Sequence, residues 1–323
     1  LICGNTLVLK PSEDTPLTAH ILSTLLKEAW LPPGVVNIVY GAGPTAGEAL
    51  VCNAGVDLIS FTGSSRVGAS IARECGAQLK RCSLELGGKN GLIVMDDADL
   101  NSAAKAVAAG AFSTAGQRCA ATSRVFVHSS VYKKFVELLL AETSGMKVGP
   151  GSYPDTKVCP IINKRQFESI QGYIADAKKS EAVLLTGGAP ITDGPCSKGR
   201  FIAPTIFENV DINSRLAQEE IFGPVLAVFK IDSLTEAIEK VNSTDYGLTA
   251  SIFTADVNSA MCAIDAIEAG CCYVNAPTFG SEPHMPFGGR KLSGNGSREP
   301  GTEALNIYSE LKDVYINIDP TQV

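Results

Sequence analysis

The sequence has no long apolar run and no cluster of basic residues. Its 323 residues carry a formal net charge of −7, with Lys and Arg dispersed along the chain. The longest apolar stretches are too short to cross a bilayer, and no basic stripe could follow a phosphate backbone or an anionic membrane. We therefore expect a globular protein without nucleic-acid or membrane partners, large enough for one large core or two adjoining domains.

Paired cysteine motifs are also missing. The ten cysteines include no CxxC pair and no Cys/His spacing typical of a metal site. They are scattered through a long chain, as in reduced intracellular proteins. The opening LICGNTLVLK does not have the charge and hydropathy pattern of a targeting signal. We expect no metal, and a reducing compartment: the cytoplasm or, alternatively, the mitochondrial matrix.

Strand-like and helix-like segments alternate from the start of the chain. Runs of β-branched and aliphatic residues are followed by segments whose apolar residues recur at helical spacing. This series predicts an α/β protein with a parallel sheet and a ligand crevice at the carboxyl ends of its strands. The expected strands of the first part are 6–9, 35–39 and 57–61, and its expected helices are 16–30, 45–52 and 64–75.

The same α/β pattern continues beyond ELGGK at residues 85–89, where we place a domain boundary. The segments expected there are helices 101–112, 131–142 and 166–179 and strands 124–127, 225–229 and 250–253. Residues 275–301 are rich in Gly, Pro and Ser, and residues 305–318 then alternate like a closing strand. The first sheet is expected to be incomplete on its N-terminal side, because the chain starts without Met on a strand-like segment.

Two glycine turns are candidates for close approach to a ligand. SFTGSSRVG places Gly63 after a strand and Ser64 at the start of a helix, where free N–H groups and the helix dipole favour a phosphate. A simple helix cap is the alternative for this turn. Gly43 and Pro44 form a second turn between strand and helix, although neither turn has the GxGxxG pattern.

A carboxylate and a thiol are candidates for catalysis. Glu85 lies where a strand meets two glycines, so its side chain could project into a cleft or remain a solvated strand-end charge. Cys119, in GQRCAA, could be a small buried apolar residue like the other cysteines. However, Gly116, Ala120 and Ala121 leave room around the sulfur, and backbone N–H groups at such a turn could face an oxyanion.

Six segments in this order resemble the aldehyde dehydrogenase superfamily: KPSEDTP, SFTGSSRVG, LELGGKN, GQRC, EEIFGPV and PFGGRKLSGNG. The resemblance covers essentially the whole chain but not the family's N-terminal part. It implies a Rossmann-like cofactor domain, here its C-terminal part, over residues 1–86, and an α/β catalytic domain over 87–296. It also implies a C-terminal segment over 297–323 with an oligomerisation strand. A homodimer or homotetramer that uses NAD without a metal is expected.

The resemblance also assigns roles to individual residues. Cys119 matches the family nucleophile, and Glu85 matches its general base. The implied reaction oxidises an aldehyde to a carboxylic acid through a cysteine thiohemiacetal and thioester. The positions that match cofactor-binding residues are Lys10 and Glu13 at the adenosine ribose, Gly43 and Pro44 on the adenine side, Gly63 and Ser64 at the pyrophosphate, and Glu220 and Phe222 at the nicotinamide ribose and ring.

Two departures from the family pattern affect this assignment. The family's Trp-Asn oxyanion element lies upstream of the segment that matches LICGNTLVLK, so only backbone donors such as the Cys119 N–H are present, and the chain alone is expected to be weakly active or inactive. In SGNGSREPG a serine stands directly before Arg298-Glu299, where many members have glycine. No role is therefore assigned to Glu299.

The substrate and the acyl acceptor leave alternatives open. Arg118, directly before Cys119, is a candidate anchor for the anionic end of a carboxylated semialdehyde, or else it pairs with a neighbouring helix. Lys291 or His284 could also supply that charge. A CoA-acylating enzyme is one alternative function, although Glu85 would be redundant there. A noncatalytic protein that retains the fold is another. A carboxylate at Glu13 favours NAD over NADP, because it would repel a 2′-phosphate.

Overall fold

The computed structural model describes residues 1–319 and residue 321. Its first part forms two separate pairs of parallel strands, each flanked by helices. Strands β1 and β2 form one pair, and strands β3 and β4 form the other. The elements of this part are β1 (Leu7–Leu9), α1 (Pro16–Glu28), β2 (Val36–Ile38), α2 (Glu48–Cys52), β3 (Leu58–Thr62), α3 (Ser65–Ala77) and β4 (Arg81–Glu85).

The second part contains the strands β5 to β15, seven of which form one large sheet. Its strand elements are β5 (Asn90–Val94), β6 (Thr122–His128), β7 (Val183–Thr186), β8 (Pro190–Ile191), β9 (Phe201–Ile202), β10 (Thr205–Glu208), β11 (Val225–Ile231), β12 (Tyr246–Gly247), β13 (Thr249–Phe253), β14 (Cys271–Val274) and β15 (Arg290–Lys291). Its helices are α4 (Leu100–Phe112), α5 (Tyr132–Ser144), α6 (Lys164–Lys179), α7 (Arg215–Gln218), α8 (Leu234–Asn242), α9 (Val257–Ala266) and α10 (Ala304–Ile307).

The large sheet has the order β14-β13-β5-β6-β11-β10-β7, and every neighbouring pair is parallel except β10 with β7. All five residues of β5 are buried, as expected for a parallel strand that is covered on both faces. The main hydrophobic core lies around this sheet, against α4, α5, α6 and α8. The α/β class and the mostly parallel sheet predicted from the sequence are therefore confirmed.

The ELGGK segment connects the two parts. Glu85 ends β4 of the first part, and Asn90 begins β5 of the large sheet. The predicted strands and helices of the first part all form, within a few residues of their expected limits, except that residues 43–47 make a π-helical turn before α2. The domain limits 1–86, 87–296 and 297–323 stay a prediction.

The closing strand expected over residues 305–318 does not form in this chain. The short helix α10 ends at Ile307, and the described residues 308–319 contain no regular element. A strand needs a neighbour for its N–H and C=O groups, and alternation in sequence does not supply one. The apolar side chains of this tail are exposed: Leu311, Val314, Tyr315, Ile316 and Ile318.

In the described part of the chain, no helix is both long and apolar enough to cross a membrane. Nor do three or more His, Cys, Asp or Glu side chains of residues 1–319 and 321 come together as a metal site.

Candidate active site

The loop that carries Cys119 lies between α4 and β6, with an unusual backbone. Thr114, Ala115 and Gly116 all have positive φ, and Gly116 packs so closely on the Gly223 carbonyl that a Cβ would lie 2.2 Å from its oxygen. Only glycine fits this position without moving the backbone. Beyond this turn the chain lies against the ELGGK segment between β4 and β5, where a Cβ at Gly88 would lie 2.5 Å from the Cys119 carbonyl oxygen.

Two buried polar side chains fix the loop on the far side of Cys119. The Asn90 amide donates to the carbonyl oxygens of Cys119 and Ala121, each at 2.8 Å. The Thr278 hydroxyl donates to the carbonyl oxygen of Ala120 at 2.8 Å. These bonds satisfy three consecutive carbonyl groups, so the backbone at the thiol is held from behind.

Two carboxyl groups act on the Cys119 thiol. Burial, together with the charges of Glu85 and Glu220, raises the pKa of Cys119 to about 11, while the N–H groups of Ala120 and Cys119 itself act in the opposite sense. The ELGGK segment that starts with Glu85 contacts both other residues: the Gly88 N–H donates to Glu220 Oε1 at 3.0 Å, and a Cβ at Gly88 would lie 2.5 Å from the Cys119 carbonyl oxygen. The structure thus brings together three of the residues that the sequence singled out.

Glu85 is a half-buried carboxyl with an unusual pKa. Burial raises the pKa of Glu85 to about 7, partly offset by the Gly289 N–H and the Arg298 guanidinium. Its Oε1 is buried without a hydrogen-bond partner. The solvated strand-end alternative therefore does not hold, and the carboxyl has the protonation range of a general base at neutral pH.

Glu220 lies against the two glycines of ELGGK. Its Oε1 accepts a hydrogen bond from the Gly88 N–H at 3.0 Å, and a Cβ at Gly87 would lie 2.4 Å from Oε2. Burial raises the pKa of Glu220, whereas the Gly88 N–H and the Lys89 charge act to lower it. Phe222, two residues further on, has a φ of 52° and is 37% exposed.

The residues expected at the adenosine end form a separate group, at the carboxyl ends of β1 and β2. Lys10 Nζ donates to the carbonyl oxygens of Pro11 and Gly41 at 2.7 and 3.2 Å and pairs with Glu13 at 3.5 Å. A cleft of about 480 Å³ lies here, and the residues that line it include Glu13, His20 and Tyr40. Gly43 and Pro44 begin the adjacent π-helical turn.

Gly63 and Ser64 separate β3 from α3. Ser64 is the N-cap of that helix, and its hydroxyl accepts from the Val67 N–H at 3.4 Å. The cap interpretation is therefore correct. It leaves the other N–H groups of the first turn available to an anion.

Among the described residues, Arg118 forms no ion pair with a carboxylate. Its guanidinium lies 4.0 Å from the centre of the Phe279 ring, and Nη2 donates to the Ala109 carbonyl oxygen at 3.1 Å. Its Nε is buried without a partner. Of the alternative cations, Lys291 is paired with Glu268 at 2.6 Å and His284 is exposed.

Sequence reasoning missed two fully buried polar residues of this site, Asn90 and Lys89. Lys89 is 2% exposed, its Nζ has no hydrogen-bond partner, and burial lowers its pKa to about 7. Both follow directly on the two glycines, but their neighbours are far away in sequence. The only available signal was that polar residues stand at the start of a buried strand.

Comparisons with known proteins agree with this geometry. The model of the "Aldehyde dehydrogenase family" matches residues 1–314. The chain is 42% identical over 316 residues to the alpha-ketoglutaric semialdehyde dehydrogenase of Bacillus subtilis (strain 168), covering 98% of this chain and 65% of the relative. It is 46% identical over 320 residues to retinaldehyde dehydrogenase 3 of Homo sapiens, covering 98% and 61%.

A solved structure, the NAD-dependent aldehyde dehydrogenase of Sinorhizobium meliloti, superposes with a TM-score of 0.92 at 38% identity. The match covers 96% of this chain and 61% of that one. The chain thus spans a little under two thirds of the length of these proteins. A family match over nearly all residues, with the fold and order of motifs preserved, shows that the chain belongs to the aldehyde dehydrogenase family.

Proposed function

We propose that this protein oxidises an aldehyde to a carboxylic acid with NAD, using Cys119 as nucleophile and Glu85 as general base. The observation that supports this most is that Cys119 and Glu220 both lie against the ELGGK segment that starts with Glu85. A lone buried cysteine would carry little weight, but this one shares its site with a carboxyl group whose pKa of about 7 suits a general base.

Cys119 acts first in this scheme. The pKa of about 11 keeps the thiol protonated at neutral pH, so its proton first passes to solvent. Sγ then attacks the aldehyde carbon as the thiolate, and the N–H groups of its own loop face the oxyanion of the thiohemiacetal. Bound NAD supplies the hydride acceptor through which this adduct becomes a thioester. Glu85 then removes a proton from the water that attacks the thioester, which releases the acid and restores the thiol. A carboxyl that titrates near pH 7 suits this second task.

The described residues fit NAD at three points. The cleft beside Lys10 and Glu13 is large enough for an adenosine, and the start of α3 after Ser64 offers N–H groups to a pyrophosphate. Glu220, which accepts from the Gly88 N–H, would hold the nicotinamide ribose. Glu13 is 55% exposed at its side chain and faces this cleft. It therefore favours a ribose with free hydroxyls over one with a 2′-phosphate.

We further propose a carboxylated semialdehyde as the substrate, with Arg118 as the anchor. The guanidinium stacks on Phe279 and donates from Nη2 to the Ala109 carbonyl oxygen, while its Nε is buried without a partner among the described residues. A guanidinium can form a bidentate pair of hydrogen bonds with a carboxylate. The Bacillus subtilis relative is named for a semialdehyde, which agrees with this choice.

We also propose that the protein is a homodimer or homotetramer and works in the cytoplasm or another reducing compartment. The exposed apolar tail at Leu311–Ile318 supports association, because such side chains gain free energy when a partner strand covers them. A reducing environment would keep the Cys119 thiol free for catalysis.

The test measures NADH formed by the full-length protein in burst and steady state, with and without CoA. A hydrolytic enzyme should give steady turnover without CoA. Turnover that requires CoA would identify the CoA-acylating alternative. Absence of both burst and turnover across a panel of aldehydes would favour a noncatalytic protein that retains the fold.

A further inference from the structure

Residues 288–298 form a glycine-rich segment that includes β15 and lies beside Glu85. One arginine holds this segment together. Arg298 Nη1 lies 3.1 Å from the carbonyl oxygen of Gly289 and 2.9 Å from that of Ser297. It also lies 3.3 Å from the Gly296 carbonyl oxygen. The guanidinium therefore links the start of the loop to its end, and the position of Gly289 depends on it.

The same loop is attached to the backbone around Glu85. Glu85 and Gly294 form an antiparallel bridge, and the Leu86 N–H donates to the Ser293 carbonyl oxygen at 3.0 Å. The Asn295 side chain accepts from the Leu84 N–H at 3.1 Å. Three consecutive residues of the strand that ends at the general base are thus fixed by this loop.

The Glu85 carboxyl interacts electrostatically with four neighbouring side chains. Arg298 and Glu299 act on it directly with opposite signs, and the thiols of Cys119 and Cys271 are in turn affected by its charge. Glu299 accepts hydrogen bonds from the Ser83 and Tyr308 hydroxyls at 2.6 and 2.8 Å, which fixes its side chain. The Arg298 guanidinium therefore supplies the positive charge that opposes Glu299 and the burial of Glu85.

We propose that Arg298 is a positioning residue for the hydrolytic step, which holds the 288–298 segment against the strand that ends at Glu85 and so fixes the carboxyl that activates water. This inference rests on the proposed function of Cys119 and Glu85. Arg298 touches neither substrate nor water in this scheme and acts through Glu85 alone. Its effect should therefore fall on deacylation and not on acylation.

The test uses p-nitrophenyl acetate with the full-length protein and no cofactor. Cys119 Sγ forms a bond to the acetyl carbon as the bond to p-nitrophenolate breaks. Water then attacks the thioester, Glu85 takes the water proton, and acetate leaves as the thiol is restored. The burst of p-nitrophenolate reports acylation, and the steady-state rate reports deacylation. Both are measured across pH.

Arg298→Gln keeps an amide donor for the loop carbonyls but removes the charge. It should leave the burst intact and move the acid limb of the deacylation rate upward by about one pH unit. Deacylation should therefore be roughly tenfold slower at low pH and little changed at high pH. Arg298→Lys keeps the charge and should retain the wild-type limb. Arg290→Gln removes an exposed arginine of the same loop and is the matched control.

An unchanged acid limb in Arg298→Gln would overturn the inference. So would an equal loss at every pH in both Arg298 variants, because a purely structural role does not distinguish charged from neutral replacements. If Arg298→Gln does not fold, a shifted acid limb in Arg298→Lys contradicts the inference by itself. Lack of a burst in the wild-type protein would instead count against the proposed role of Cys119.

Discussion

The side-chain amide of Asn90 donates a hydrogen bond to the carbonyl oxygen of Cys119 at 2.8 Å. Asn90 is the first residue of β5, the strand that follows the ELGGK segment, and its Oδ1 accepts from the Thr249 N–H at 3.1 Å. One buried side chain therefore joins the Cys119 loop to two strands of the large sheet. The position of the thiol is set by the core of the protein.

Asn90→Ala should both destabilise the protein and slow acylation. It leaves buried backbone groups of Cys119, Ala121 and Thr249 without partners, at a cost of about 1–3 kcal/mol in the free energy of unfolding for each group that water cannot reach. Denaturant unfolding and the p-nitrophenyl acetate burst measure the two effects. Asn258→Ala, at an exposed position on α9, is the control. A wild-type burst rate in Asn90→Ala would show that the loop holds its position without this residue.

Glu85 should make the folded protein less stable as the pH rises. Its pKa is raised from 4.5 to about 7 on folding, so the native state holds a proton that the unfolded state has lost. Stability from this group is present below pH 4.5 and is lost as the pH rises through about 7. Glu85→Gln cannot ionise and should gain on the order of 1 kcal/mol over wild type at pH 8, allowing for solvent screening.

Thermal unfolding at pH 5 and pH 8 measures this difference. The gap in Tm between Glu85→Gln and wild type should widen at pH 8. Glu48→Gln, at an exposed position on α2, serves as the control. A gap of the same size at both pH values would show that Glu85 does not titrate between them.

Glu13 should set the preference for NAD over NADP. Its carboxylate can accept hydrogen bonds from ribose hydroxyls but would repel a 2′-phosphate. Glu13→Ala should narrow the ratio of kcat/KM between the two cofactors, mainly by improving NADP. Asp14→Ala, at the adjacent exposed carboxylate, controls for general loss of negative charge. A wild-type protein that prefers NADP would contradict the assignment of this group.

Arg118→Ala should penalise a carboxylated substrate more than a neutral one. The additional loss in kcat/KM for a semialdehyde, relative to an uncharged aldehyde of similar length, should be about 1.5–3 kcal/mol, the range for hydrogen bonds to charged groups. Arg165→Ala removes an exposed arginine on α6 and should affect both substrates little. Equal losses for the two substrates in Arg118→Ala would limit Arg118 to ordering the loop.

Local sequence patterns predicted the elements well where the pattern itself carries the physical cause. The helix α3 follows from a serine cap and a buried stripe, and β6 and β11 follow from apolar runs. The 305–318 segment failed because strand formation depends on a neighbour that this chain does not place beside it. The alternation of apolar and polar residues indicates which face of a strand would be buried, but not whether a partner strand is present.

The site was predictable only in its chemistry-bearing residues. Motifs located Cys119, Glu85 and Glu220, but nothing in the sequence indicated that Asn90 would hold the Cys119 carbonyl or that Arg298 would hold Gly289. Those contacts join residues that are 29 and 9 positions apart through turns whose geometry depends on the whole fold. The cation–π contact of Arg118 with Phe279 was missed for the same reason.

The most direct test of the account traps the acyl group on Glu85→Gln. The full-length variant is mixed with NAD and an aldehyde, quenched in acid and digested, and the peptides are examined by mass spectrometry, with Cys262→Ala in the same background as a control for an exposed thiol. The account predicts one burst of NADH, slow turnover, and an acyl group on the peptide that contains Cys119. An acyl group on another cysteine, or rapid turnover without any trapped acyl group, would contradict it.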